Sequence, residues 1–151
     1  MKKGLSLQAM KCSESRYSRC MYFASGALAR KIEKLAMETW RKVSLSPSHG
    51  YLLMMVLDQP GIQPGSVAGQ LQLSPSTVTR LVEKLEEKKL VTRTTDGKVT
   101  RIHPTAEGKA LYPELELCIS QFHEKLDGLV DRTSADHLIR QINQVTDKLP
   151  Y

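Results

Sequence analysis

The sequence predicts a mainly α chain in which three short helices and a β-hairpin stand between long, apolar-striped helices. Three observations carry that prediction. Leu-Ser-Pro-Ser occurs at 45–48 and again at 73–76, each time just ahead of an apolar run with helical spacing. Asp96-Gly97 lies between two segments rich in Val, Thr and Ile, 90–95 and 98–103. The stretches 16–43 and 105–149 repeat apolar residues at intervals of three, four and seven.

Residues 1–15 show no period and read as a loose arm. From about Arg16 to Val43, Met21, Leu28 and Leu35 recur every seven residues with Ala24, Ile32 and Thr39 beside them. Arg30, Lys31, Lys34, Arg41 and Lys42 take the other face, which predicts a long amphipathic helix. Ser46 can accept a backbone N–H as a helix cap, and Pro47 suits the first turn because its missing N–H would be unpaired there. The helix that follows runs through Leu52, Leu53, Val56 and Leu57, so it is expected to be buried, and Gln59-Pro60-Gly61 stops it. A short helix with Val67, Ala68 and Leu71 comes next. Ser74 and Pro75 then open a helix that buries Val78, Leu81, Val82 and Leu85 and ends near Lys88 and Lys89.

Asp96-Gly97 is the pair favoured at the centre of a type I′ turn, so 90–103 reads as a hairpin with a two-residue loop. Thr105 caps a long helix striped by Leu111, Leu115, Ile119, Phe122, Leu126 and Leu129, in which Pro113 either bends the helix or marks a late start. Thr133-Ser134 begins a last helix with Leu138, Ile142, Val145 and Leu149. No linker-like stretch interrupts this order, so 151 residues are read as one domain.

Composition narrows the function. The formal net charge is +6, with +7 in residues 1–46, −1 in 47–73, +3 in 74–103 and −3 in 104–151. The two basic regions suggest a polyanionic partner. Aromatics make up only 5% of the chain, which disfavours a stacking platform for single strands. No apolar run reaches the roughly 18 residues of a membrane span. No apolar stretch follows Met1-Lys2-Lys3 as a secretion signal requires, so no membrane association and a cytoplasmic location are expected. Three cysteines, at 12, 20 and 118, are too few and too scattered for a disulfide framework. His49, His103, His123 and His137 are dispersed, and no metal spacing, nucleophilic triad or glycine-rich phosphate loop is present. An enzyme, a metal site and a bound cofactor are therefore not expected.

The functional motif lies in residues 62–103. A short helix, a tight turn and a capped second helix form a helix-turn-helix, and the hairpin directly after it makes a winged version. Ala68, Leu71, Leu73, Val78 and Leu81 lock the two helices, which frees the first turns of the second to enter a major groove. Ser74, Ser76, Thr77 and Thr79 offer short hydroxyls near that helix start. Arg80 can take guanine O6 and N7 together, and Lys84 suits a phosphate. Asp96 and Gly97 shape the wing tip, and Arg93, Lys98 and Arg101 on or beside it would contact backbone or minor groove. The competing account of the same residues is a solvated helix face. In that case the fold would be a protein–protein interaction module without sequence-specific DNA binding.

The run Leu73-Ser74-Pro75-Ser76-Thr77-Val78-Thr79-Arg80-Leu81-Val82-Glu83-Lys84-Leu85 resembles the recognition helix of the MarR-type winged-helix regulators. Asp96-Gly97-Lys98 stands at that family's Asp-x-Arg, and Pro104-Thr105-Ala106-Glu107-Gly108 is similar to its Leu-Thr-x-x-Gly. The resemblance covers roughly residues 16–149. It implies a dimeric regulator of transcription, a repressor, reading a pseudo-palindromic operator through helix 75–88 and wing 91–103. Residues 45–103 would form the DNA-binding lobe, and 16–44 with 105–150 would form the dimerisation helices. The two reading helices would meet half-sites about one helical turn apart.

Four departures stand out. Lys89 and Gln72 replace common glycines, Lys98 replaces the wing Arg, and the wing's first arm is about three residues short.

The resemblance also implies an input. One is a small aromatic ligand in the crevice between the two regions. The other is an organic hydroperoxide, because the surroundings of Cys20, with Tyr17 and Tyr22, resemble the OhrR-like branch of the family. Arg16, Arg19 and a helix start beside Cys20 favour the reactive thiolate. Cys118 would be the resolving partner, although beside Ile119 it also reads as plain core.

Overall fold

The computed structural model describes residues 10–150. Residues 1–9 of the expected arm lie outside that range. Seven helices and one hairpin follow in the order α1 (Met21–Trp40), α2 (Pro47–Asp58), α3 (Pro64–Leu71), α4 (Pro75–Glu87), β1 (Val91–Asp96), β2 (Val99–Pro104), α5 (Ala106–Ala110), α6 (Tyr112–Asp127) and α7 (Arg132–Thr146). The chain is mainly α with a two-stranded antiparallel wing, as expected.

Both Leu-Ser-Pro-Ser segments act as helix starts. The Ser46 hydroxyl accepts the His49 N–H, and the Ser74 hydroxyl accepts the Thr77 N–H, with Pro47 and Pro75 in the first turns. The core gathers Leu52, Leu53 and Val56 of α2, Val67 of α3, Val78, Val82 and Leu85 of α4, and Ile102 of β2. All eight side chains are fully enclosed, so α4 is held at a fixed angle over α2 and α3 by buried apolar area. Leu45, Leu115 and Cys118 extend this core toward α6.

Trp40, given no role from sequence, is fully buried at the end of α1. Its ring lies against Gly50, where an added Cβ would stand 2.0 Å from a ring carbon. Its indole N–H has no hydrogen-bond partner among the described residues.

Several boundaries differ from the sequence expectation. The first helix begins at Met21 rather than Arg16, and Arg41–Val43 tightens into a 3-10 turn that ends with Ser44 at φ 55°. Within the expected arm, Cys12–Glu14 forms a short turn in which the Lys11 N–H donates to Glu14 Oε2 at 2.9 Å. The expected long helix from 105 is two helices. Thr105 caps α5 by accepting the Gly108 N–H at 3.0 Å, and α6 restarts with Pro113 in its first turn. The late start is thus the alternative that holds, because proline removes an N–H the continuous helix would need. The last helix begins at Arg132, one residue before the expected Thr133-Ser134 start, with Asp131 as its cap.

The wing turn also shifts by one residue. Asp96 pairs with Val99, so the two central loop residues are Gly97 and Lys98 rather than Asp96 and Gly97. Only Gly97 has positive φ (57°), which is the type II′ pattern rather than type I′. A third segment joins the hairpin: Gly61 N–H donates to the Ile102 carbonyl at 2.8 Å and Ile102 N–H to the Ile62 carbonyl at 3.0 Å.

Candidate nucleic-acid interface

Helix α4 presents one buried and one exposed side. Val78, Leu81, Val82 and Leu85 face inward, while Ser76, Thr77, Thr79, Arg80, Glu83 and Lys84 are exposed. Thr77, Arg80 and Lys84 follow one another at helical intervals and so form a single stripe. Arg80 has no hydrogen-bond or ion-pair partner among the described residues, so its five donors face solvent.

The hydroxyls near the helix start are not equally free. Ser74 Oγ accepts the Thr77 N–H at 3.2 Å and lies 3.1 Å from Ser76 Oγ and 2.8 Å from Thr77 Oγ1. Its first task is therefore to cap α4. Thr79 donates its hydroxyl to the Pro75 carbonyl at 3.0 Å. Lys84 pairs with Glu87 at 2.8 Å, but both side chains are more than half exposed, so the pair is screened and easily exchanged for a phosphate.

The pairing register distributes the wing cations. Lys98 is at the tip. Arg101 lies opposite Thr94, and its guanidinium donates weakly to the Gly61 carbonyl at 3.5 Å. Arg93 lies opposite Ile102, on the other face of the hairpin from Arg101, and three pairs back from the tip. The expectation that Arg93 stands on or beside the tip is therefore corrected. Its guanidinium is 2.6 Å from Glu86 Oε2, and its backbone N–H donates to Glu86 Oε1 at 3.0 Å. Glu86 has no role in the sequence reading. Nothing in the linear order links positions 86 and 93.

Between helix and wing, Lys89 adopts φ 58°, and in the helix-turn-helix turn Gln72 adopts φ 52°. Both positions at which the resemblance expects glycine are therefore left-handed, and side-chain-bearing residues occupy them. Gln72 offsets part of that strain by donating its side-chain amide to the Gly69 carbonyl at 2.7 Å.

The cysteines part company. Cys20 is exposed at the capping position of α1, while Arg16 lies over the Tyr17 ring, 5.2 Å from its centroid. Cys118 is fully buried, and burial pushes its thiol up, which keeps it protonated and poorly reactive.

Apolar side chains remain uncovered on the terminal helices. Leu138, Ile139, Ile142 and Val145 of α7 are each 42–51% exposed, and no residue of α7 is buried. Leu138, Ile139 and Ile142, with Leu28 and Ile32 of α1 and Phe122 and Leu126 of α6, line a groove of about 690 Å³. Among the described residues, no helix is long and apolar enough to cross a membrane, and no three His, Cys, Asp or Glu side chains are grouped to hold a metal ion.

Residues 43–102, the helix-turn-helix and wing, match the model of the MarR family. The transcriptional repressor MdtR of Bacillus subtilis (strain 168) is 27% identical over 92 residues, which cover 59% of this chain and 59% of MdtR, under two thirds of that relative's length. The MepR–DNA complex of S. aureus superposes with a TM-score of 0.73 at 18% identity, covering 85% of this chain and 98% of that one. CouR from Rhodococcus jostii RHA1, bound to p-coumaroyl-CoA, gives 0.72 at 20% identity, covering 91% and 99%. These likenesses establish the fold.

Proposed function

We propose that this chain, whose lobe over residues 43–102 is that of the MarR family, is a dimeric DNA-binding regulator of transcription, acting as a repressor. The observation that carries this reading is the exposed Thr77–Arg80–Lys84 stripe, with Arg80 unpaired among the described residues, beside a wing that ends in Lys98. Helix α4 enters the major groove, and Arg80 reads a guanine edge. Ser76, Thr77 and Thr79 approach bases or phosphates, Lys84, Lys98 and Arg101 take phosphates, and Ser74 acts through the cap.

Residues 45–103 form the reading lobe, and 16–44 with 105–150 the dimerisation helices of a single domain. A second copy covers the groove of α1, α6 and α7. Charge supports that occupant: residues 1–46 carry +7 and residues 104–151 carry −3, so the N-terminal segment of one protomer and the C-terminal segment of its partner are of opposite sign.

The input is a small-molecule ligand or oxidation of Cys20, and either would change the spacing of the two α4 helices. That MdtR is named a repressor and that CouR is seen with an acyl-CoA is consistent with this class. Exposure favours Cys20 over Cys118 as the reactive thiol.

The test is a gel shift on the DNA upstream of the protein's own gene. Arg80→Ala combined with Lys98→Ala should abolish retention while the far-UV spectrum stays intact. Retention unchanged in that variant would overturn the assigned face, and no duplex binding by the wild type at low salt would favour a protein-interaction module. Repeating the shift after hydroperoxide, with Cys20→Ser alongside, separates the inputs: intact wild-type binding after oxidation removes the thiol route.

A further inference from the structure

The wing has a packed root and a bare outer half. Val91 and Ile102 are buried, and Ile62 adds a backbone bridge at the same level. Beyond Arg93, every residue from Thr94 to Val99 is exposed. No buried side chain sets the direction of that outer half. Glu86 sits at the point where packing stops. Its two carboxylate oxygens hold Arg93 twice, once at the guanidinium (2.6 Å) and once at the backbone N–H (3.0 Å). Among the described residues, these are the hydrogen bonds and ion pair that join an α4 side chain to the wing. Both side chains are about one-third exposed or less, so this pair is better sheltered than Lys84–Glu87.

From this geometry we propose that Glu86 is a positioning residue for DNA recognition: its clamp on Arg93 fixes the angle between α4 and the wing, so that Arg80 and Lys98 reach one duplex together. The proposal rests on the DNA-binding reading above. It assigns to an acid a role opposite to its charge. A carboxylate beside phosphates repels them, so charge alone says that removing it tightens binding. Positioning says that removing it weakens binding, because the wing loses its set direction.

The experiment compares wild type, Glu86→Gln, Glu86→Ala, Lys98→Ala and the Glu86→Ala/Lys98→Ala double variant. Duplex affinity is read alongside amide hydrogen exchange of residues 93–99. Glu86→Ala should lose about tenfold in affinity with the melting transition still cooperative, and Lys98→Ala should cost much less in the double variant than alone. Glu86→Gln keeps an acceptor for the Arg93 N–H and should fall between. In the absence of DNA, the Arg93 amide should exchange at least about tenfold faster in Glu86→Ala.

Unchanged or tighter binding, or strictly additive losses, would overturn the proposal. If the wild type binds no duplex, the regulatory reading fails instead. The exchange arm then still decides the clamp, and unchanged protection at Arg93 overturns it.

Discussion

The carbonyl of Leu90 and the Cα of Gly108 are packed so closely that a Cβ on Gly108 would stand 2.2 Å from the Leu90 oxygen. The same carbonyl accepts the Thr105 N–H at 3.0 Å, and the Thr105 hydroxyl donates to the Lys89 carbonyl at 2.7 Å. The Thr-x-x-Gly element thus fastens the start of α5 to the root of the wing, the threonine by hydrogen bonds and the glycine by being small. Gly108→Ala should destabilise the fold by about 1–3 kcal/mol through forced displacement of backbone. Urea unfolding followed by fluorescence of Trp40, the only tryptophan, measures it. A midpoint equal to wild type would mean the two segments can part freely.

Lys89 invites the opposite change. It holds φ 58° with an exposed side chain, a conformation that costs an ordinary residue about 1–2 kcal/mol. Glycine enters it without that cost but leaves a freer unfolded chain. Lys89→Gly should therefore raise stability by about 0.5–1 kcal/mol, read as a higher urea midpoint at unchanged slope. A lower midpoint would contradict the left-handed turn between α4 and β1.

His49 makes stability depend on pH. Its Nδ1 lies 2.6 Å from the Ser46 hydroxyl, and burial, then Lys88 and Lys84, lower its pKa from the ordinary 6.5. The unfolded chain takes up the proton first as pH falls through 6.5, so acid favours unfolding. The contribution is fully present above the unfolded value and shrinks as pH drops toward the folded one. Melting temperatures between pH 7.5 and about pH 5 should fall for wild type and fall less for His49→Asn. Parallel profiles would show that His49 titrates as it does in the unfolded chain.

The stripe on α7 predicts assembly. Ile142 is 43% exposed on a helix with no buried residue. Ile142→Asp places a charge where a second copy must dock, so sedimentation should change from dimer to monomer. Duplex affinity should fall with it, since a single reading helix loses the linkage of two half-sites. A wild-type chain that sediments as a monomer at high concentration would remove the dimer from the proposed function.

Caps and apolar periods were legible in the linear order because they are local. Ser46 and Ser74 each reach an N–H three residues on, and Val78, Leu81, Val82 and Leu85 share a face by helical spacing alone. Where two local signals compete, the order is less decisive. Asp96-Gly97 fits a type I′ turn, yet the register set by Val91 and Ile102 in the core moves the loop to Gly97-Lys98. Pro113 is compatible in sequence with a bend or a late start, and the structure, with α6 packed on α1 and α2, has the late start.

What the sequence determined by itself was the order of elements, the two capped starts, the basic stripe of α4 and the apolar stripe of α7. Each is a property of residues a few positions apart. Only the tertiary structure decided which cations are free. Arg80 and Arg93 look alike in sequence, but one faces solvent while the other is held by Glu86. Trp40 against Gly50 and Gly108 beneath Leu90 are likewise decided by packing across the fold. The physical reason is range. Helix caps and periodicity act along the chain, whereas ion pairs and steric fit act through space, between residues whose distance the chain order does not encode.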